Sequence, residues 1–267
     1  MSLFTSTFLG LKISHFPSKQ DLMDELDSVI KTRKTIDIHS YSLTIFYLFQ
    51  QMRGLFPLHQ ESDIQVCDGK GFYFLMKLLG FNNYTYFPIP DIVLSCCELA
   101  DKKGYSVMLL GATQESNDEA TRRLRKKYPD ANILDGLWDY WGEQNDEKAI
   151  ALINELKPDI LCVGISSPKK ELFAHNCKKR VDSRIIIHSG ATIDFISGKE
   201  NRPPRFFQHL SLWWLWRVFQ DPKKLVKQDL VNGLKALFIL VPRILWEVHV
   251  KGNYSFSIPR FLKVDDD

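Results

Sequence analysis

The chain has 267 residues, 45% of them hydrophobic and 25% charged, with a mean hydropathy of −0.18 and a formal net charge of +3. That balance allows one large core, or a core with an appendage, and excludes a disordered tail, a collagen-like fibre and a disulfide mini-protein. A charge of +3 over this length lacks the concentrated basic footprint that nucleic acid binding needs, so no nucleic acid partner is expected.

Met1 to Leu11 has neither a basic n-region nor a long apolar h-region, so no secretory signal is expected. Asp21 to Lys34 reads as a helix with Leu22, Leu26, Val29 and Ile30 on one face, and Thr35 to His39 as a short strand. Asp63 to Cys67 is a second strand, ending at Asp68-Gly69-Lys70-Gly71 and followed by a helix from Phe72 to Leu79 that Gly80 would close. Tyr105 to Leu110 runs into Gly111-Ala112-Thr113, after which Ser116 or Asn117 could cap a helix reaching Tyr128. Asp159 to Val163 runs into Gly164 to Pro168 and a helix from Lys169 to Arg180; Arg184 to His188 runs into Ser189-Gly190-Ala191-Thr192. Repeated strand, small-residue loop and helix units predict an α/β fold, a Rossmann-like parallel sheet with flanking helices.

Gly198, Pro203 and Pro204 then break the pattern, which puts a boundary between a 1–196 catalytic domain and a 197–267 appendage. From Lys199 to Lys251 there are ten Lys or Arg against four Asp or Glu, a net of +6 that leaves −3 for the rest of the chain. Trp213, Trp214, Trp216 and Trp246, four of the six tryptophans, fall in the same segment. Basic charge interleaved with large aromatics suits a helical appendage on an anionic membrane surface. The same aromatics would suit a subunit interface, so a homo-oligomer stays open. Apolar stretches such as Ala236 to Pro242 are far shorter than the roughly 20 residues that span a bilayer. Five cysteines, an odd number without CxxC spacing, point to a reducing compartment. A cytoplasmic protein, peripheral on the inner membrane, is the expectation.

Ligands of open α/β sheets bind at the carboxyl ends of the strands, where loops and helix N-termini present N–H groups to anions. The loops at Asp68-Gly69, Gly111 to Thr113, Gly164 to Pro168 and Gly190-Ala191 fall there, and a phosphate-bearing ligand is the natural reading. None is a Walker A loop or a full GxGxxG fingerprint, which disfavours a P-loop NTPase or a dinucleotide reductase. Asp68, between small residues at a strand end, is the first candidate for a general base; capping the next helix is its structural alternative. The seven histidines show no metal-ligand spacing.

Taken together, Asp68-Gly69-Lys70-Gly71, Leu109-Leu110-Gly111, Lys157-Pro158-Asp159, Ser167-Pro168-Lys169-Lys170-Glu171, Gly190-Ala191-Thr192-Ile193-Asp194-Phe195, Arg202-Pro203-Pro204-Arg205 and Trp214-Leu215-Trp216-Arg217 resemble the WecG/TagA/CpsF family of bacterial glycosyltransferases, glycosyltransferase family 26. The resemblance runs from about Phe8 to Leu230 and implies a UDP-sugar-binding core with a membrane-touching C-terminal appendage. It implies inverting transfer onto an undecaprenyl-diphosphate-linked acceptor without a metal or other cofactor, in exopolysaccharide, capsule or cell-wall polymer assembly. Asp68 would be the base, and Arg217, with Arg202 or Arg205, would offset the leaving diphosphate. The substrate cleft would draw on His39, Ser40, Gly69, Gly71 and Asp91; on Gly111, Ala112, Thr113, Gly164, Ser167 and Pro168; and on Lys170, Glu171, Gly190 and Asp194. The chain departs from the family pattern at Asp37-Ile38-His39, at Tyr86 and Ile89, and at Lys170. Those positions lie near sugar and acceptor, so the donor would be UDP-N-acetylmannosamine or a UDP-glucose or UDP-glucuronic acid type. A non-catalytic nucleotide-sugar-binding scaffold is the alternative from another class.

Overall fold

A computed structural model describes residues 4–82, 84–138, 146–200, 216, 231–253 and 255–263. Arg202, Arg205, Arg217, Trp213 and Trp214 lie outside the described residues.

The chain opens with an antiparallel hairpin, β1 (Phe4–Phe8) and β2 (Leu11–His15). Six strands then form one sheet: β3 (Ile36–Tyr41), β4 (Ile64–Cys67), β5 (Ser106–Gly111), β6 (Asn132–Ile133), β7 (Ile160–Gly164) and β8 (Ile185–His188). Their order is β4-β3-β8-β7-β5-β6, and every pairing is parallel. The connecting helices are α1 (Lys19–Thr32), α2 (Leu43–Gln51), α3 (Leu55–Gln60), α4 (Lys70–Leu78), α5 (Ile89–Lys103), α6 (Gln114–Lys127), α7 (Asp146–Leu156), α8 (Lys169–Cys177) and α9 (Thr192–Ser197). The α/β class and the parallel sheet are as the strand-loop-helix pattern predicts. The antiparallel hairpin was not foreseen.

Local chemistry sets the boundaries. Ser18 starts α1, its Oγ accepting the Asp21 N–H at 3.2 Å, and Leu22, Leu26, Val29 and Ile30 bury the predicted face. Each such burial is worth about 1.5–3 kcal/mol. α6 begins earlier than predicted because Thr113, not Ser116 or Asn117, takes the cap position; its Oγ1 accepts the Ser116 N–H. α8 ends at Cys177 rather than Arg180, and β3 runs on to Tyr41 because His39, Ser40 and Tyr41 pair with Gln65, Val66 and Cys67. Gly80 follows the last turn of α4 at φ +85° and its N–H bonds the Lys77 carbonyl, the left-handed stop that glycine favours.

Strand alternation sends successive side chains to opposite faces. On one face Ile36, Ile38, Val107, Leu109, Ile160 and Ile187 pack against α1, α5 and α6. On the other, Met108, Leu110, Leu161, Val163 and Ile186 pack against α7 and α8. A third cluster joins the hairpin, α2 and α4 to the C-terminal segment. There α10 (Val231–Lys235), a π-helical turn over Ala236–Leu240, α11 (Val241–Leu245) and a second π-helical turn over Trp246–Val250 succeed one another, and α12 (Ile258–Leu262) follows. Ala236, Leu240, Ile244, Val248, Ile258 and Leu262 are buried against Phe8, Ile13, Phe46 and Phe72, so this core runs across the 196/197 division.

Candidate active site

A cavity of about 400 Å³ opens over the carboxyl ends of β4, β3 and β8. β3 contributes Ser40, the turn after β4 contributes Asp68 and Gly69, the start of α8 contributes Lys170, and the loop after β8 contributes Ser189, Gly190 and Ala191. Its rim includes Tyr86 and Pro88 from the segment before α5, Ile89 at the start of α5, and Gly233 and Leu237 from the C-terminal helices. The size lies in the range of small-molecule sites.

Asp68 stands at the end of β4, where the chain must turn at once into α4. Gly69 makes that turn at φ +89°, and a side chain there would also press on Ser42. The residue in the cap position of α4 is therefore Gly69, not Asp68. The Asp68 carboxylate instead accepts hydrogen bonds from the Ser40 hydroxyl and the Ile89 N–H. Burial pushes its pKa from the ordinary 3.8 up to about 6; the Lys170 ammonium and the two donors oppose that shift, and the Asp91 charge adds to it. A carboxylate tuned to about 6 in a cleft is suited to general base work near neutral pH.

Lys170, its side chain 12% exposed, is the cation facing Asp68. Behind it Glu171 is fully buried, with Oε1 3.7 Å from Lys170 Nζ and accepting the Ser167 hydroxyl at 2.8 Å. Burial would raise the Glu171 pKa, but Lys170, His59 and Ser167 outweigh it and hold the carboxyl at about 2. Glu171 thus stays charged and holds Lys170 in place. Tyr86 forms an isolated parallel bridge with Cys67, which sets its ring at the rim; burial, then the nearby Asp68 charge, pushes its hydroxyl pKa up.

Of the residues read from sequence, Ser40, Asp68, Gly69, Gly71, Lys170 and Gly190 line this cavity. His39 does not reach it: it lies fully buried beneath the floor, because odd-numbered β3 positions face away from the side Ile38 occupies. Asp91, in the first turn of α5, acts on Asp68 through its charge. Ser167, Pro168 and Glu171 stand behind Lys170. Gly111, Ala112, Thr113 and Gly164 lie further along the sheet, at the ends of β5 and β7. There Gly111, at φ +105°, pairs with Gly164 so closely that a Cβ would come 2.7 Å from the Gly164 oxygen. Asp194 is in the first turn of α9 and is not among the described residues lining the cavity. Arg202, Arg205 and Arg217 fall outside the described residues. Ser42, Thr44 and Phe195 line the cavity without having been singled out; Ser42 carried a signal, a Ser before an apolar run, and it takes the cap position of α2 with its hydroxyl on the Thr44 hydroxyl, 2.9 Å away, rather than on a backbone N–H.

The sequence profile of the glycosyl transferase WecG/TagA/CpsF family matches residues 6–249. Proteins of Staphylococcus aureus strains MRSA252 and MW2, both named N-acetylglucosaminyldiphosphoundecaprenol N-acetyl-beta-D-mannosaminyltransferase, are each 30% identical over 158 residues. The matched stretch covers 58% of this chain and 59% of those relatives, less than two thirds of their length.

Proposed function

The chain belongs to the WecG/TagA/CpsF family of glycosyl transferases, and from that membership and the cleft geometry we propose that it transfers a sugar from a UDP-sugar to a lipid-diphosphate-linked acceptor, with inversion. The observation that carries the reading is Asp68, raised to about 6 at the floor of a 400 Å³ cleft beside Lys170. In this reading the acceptor hydroxyl gives its proton to the Asp68 carboxylate as its oxygen attacks the anomeric carbon. The bond from that carbon to the diphosphate oxygen breaks on the opposite side, and its electron pair leaves with UDP. Lys170 and the start of α4 supply positive charge near the diphosphate, as would Arg202, Arg205 and Arg217, so the chemical step uses no metal. The relatives' names specify an N-acetylmannosaminyl donor group and an N-acetylglucosaminyl-diphosphoundecaprenol acceptor. UDP-N-acetylmannosamine and the UDP-glucose and UDP-glucuronic acid types are the candidate donors here, the second group because Asp37, His39, Tyr86 and Lys170 depart from the family pattern.

The C-terminal part, 197–267, is the membrane-associating part in this reading, and the cytoplasmic face of the membrane is where the donor and lipid acceptor meet. Support comes from Leu234, Phe238, Ile239, Trp246 and Val250, all exposed, with Phe238 at 70%. Lys235, Arg243 and Lys251 lie among them, and the exposed Phe74 and Leu78 of α4 adjoin this strip where His249 Nε2 meets the Leu78 carbonyl oxygen at 3.0 Å. No helix among the described residues is long and apolar enough to cross a membrane. The experiment is a transfer assay with a panel of UDP-sugars and a polyprenyl-diphosphate-linked N-acetylglucosamine acceptor, preceded by thermal shift with the same panel. Sugar transfer with stoichiometric UDP release is expected; binding without turnover for every donor would instead favour the scaffold role.

A further inference from the structure

The second face of the sheet changes character across its width. Under β5 and β7 it is apolar, but at β3, β4 and the end of β8 the same face carries Asp37, His39, Gln65 and His188, all buried. Helices α3 and α8 close over this patch with His59, Glu171 and Lys178. His39 stacks on His188 with ring centroids 3.8 Å apart, and His59 meets His39 edge-on at 4.7 Å. None of the six nitrogens of these three imidazoles has a hydrogen-bond partner among the described residues, although all are fully buried. A buried polar group left unpaired costs about 1–3 kcal/mol, and each neutral ring has one N–H and one lone-pair nitrogen, so a cation would be a partner for the lone pairs.

Asp37 Oδ2 is 3.7 Å from His39 Nε2 and 3.8 Å from His188 Nε2. These separations are too long for hydrogen bonds. They are somewhat longer than the roughly 3.3–3.4 Å between ligand atoms set about 2.0–2.1 Å from one tetrahedral ion, and the His39 and His188 rings would swing out of their stack to converge on it. The other oxygen, Asp37 Oδ1, takes Lys178 Nζ at 2.5 Å and the Asp63 N–H at 3.0 Å, which orients the carboxylate as outer partners commonly orient a metal-ligating one. The overlapping set of His39, His59 and Glu171 is less suited, because Glu171 Oε1 already serves Ser167 and Lys170.

We propose that Asp37, His39 and His188 form a buried site for one divalent first-row transition metal ion of the zinc type. Two imidazole nitrogens and one carboxylate oxygen suit that class, whereas Mg²⁺ and Ca²⁺ prefer oxygen-only sets. The ion ties β3 to β8 directly beneath the cleft: Ser40, next to His39, bonds Asp68, and Ser189, next to His188, begins the cleft loop. It steadies the floor, of which its ligand His188 is itself a lining residue, and it stands whether or not the transferase reading does.

The test uses the tag-free full chain, stripped by chelator and titrated with Co²⁺ alone. One equivalent should bind with visible d–d absorption and be displaced by Zn²⁺, which should raise the melting temperature by more than about 5 °C at a hundredfold excess over its Kd. Asp37→Asn and His188→Gln should each weaken Co²⁺ binding at least about 100-fold, while the exposed His175→Ala leaves it unchanged. X-ray absorption of the Zn²⁺-loaded wild type should show two imidazole nitrogens at about 2.0–2.1 Å, and it decides the matter if the variants do not fold. The proposal is overturned by no stoichiometric Co²⁺ binding at micromolar concentration, by fewer than two imidazole ligands, or by binding that survives His188→Gln.

Discussion

Replacing Asp68 by Asn keeps the side chain's size and removes its charge, and the site's electrostatics give two consequences of opposite sign. The shift from 3.8 to about 6 means that the folded protein holds the neutral acid better than the unfolded chain does. The charged form is therefore a cost to folding, absent below about pH 3.8 and complete above about pH 6, of roughly 3 kcal/mol at most. Asp68 is partly exposed to the cleft, so solvent screening reduces this to about 1–2 kcal/mol. Asp68→Asn should melt a few degrees above wild type at pH 8 and lose that gain at pH 4. Turnover should fall by about 10²–10⁴ while UDP binding survives. In the wild type, kcat/KM should rise with pH to a plateau above about 6, losing about tenfold per pH unit below it. Parallel calorimetry and transfer assays across that range read both effects; turnover within about threefold of wild type, or a lowered melting temperature at pH 8, would refute the assignment.

Lys170→Met removes the cation that lowers the Asp68 pKa, so the acidic limb should move above pH 6 and KM for the donor should rise at least about tenfold, both read from pH-dependent kinetics. Leu240→Ala empties a fully buried position between the C-terminal segment and the hairpin core and should cost about 2–5 kcal/mol in urea unfolding; a loss under about 1 kcal/mol would mean the segment is not part of that core. The double variant Phe238→Ser, Trp246→Ser alters only exposed side chains, so melting should hold while co-sedimentation with phosphatidylglycerol vesicles drops; unchanged sedimentation would remove the membrane surface.

Five of the six sheet strands, β3, β4, β5, β7 and β8, were legible because they are β-branched or apolar runs stopped by glycine or small polar residues. Asp68 was legible as a candidate for the same reason, since it is a carboxylate at a strand end followed by Gly69 and Gly71. The hairpin was not, because Phe4 to His15 alternates only weakly and is held by partners far away, such as Ser14 Oγ accepting the Gln65 N–H. Helices α2, α3 and α5 also lacked a clear signal: α2 is apolar nearly all round, and α5 has Pro88 at its cap position and Pro90 in its first turn. The histidine cluster was invisible in principle, since His39, His59 and His188 meet only once β3 and β8 pair and α3 folds over them. The glycine-rich turns after β5 and β7 looked equally suited to a ligand, yet Gly111 and Gly164 serve each other's close approach.

Gly233 and Leu237 border the cleft while their neighbours Leu234 and Phe238 point outward from the same helical run. The apolar surface and the cleft thus lie within about one helix diameter, 10–12 Å, of each other. On a membrane-bound enzyme that thickness acts as a ruler. In the proposed reading, an acceptor hydroxyl would have to lie within about that height of the lipid surface to meet Asp68, which would favour the first sugars beside the diphosphate over the growing end of a long glycan.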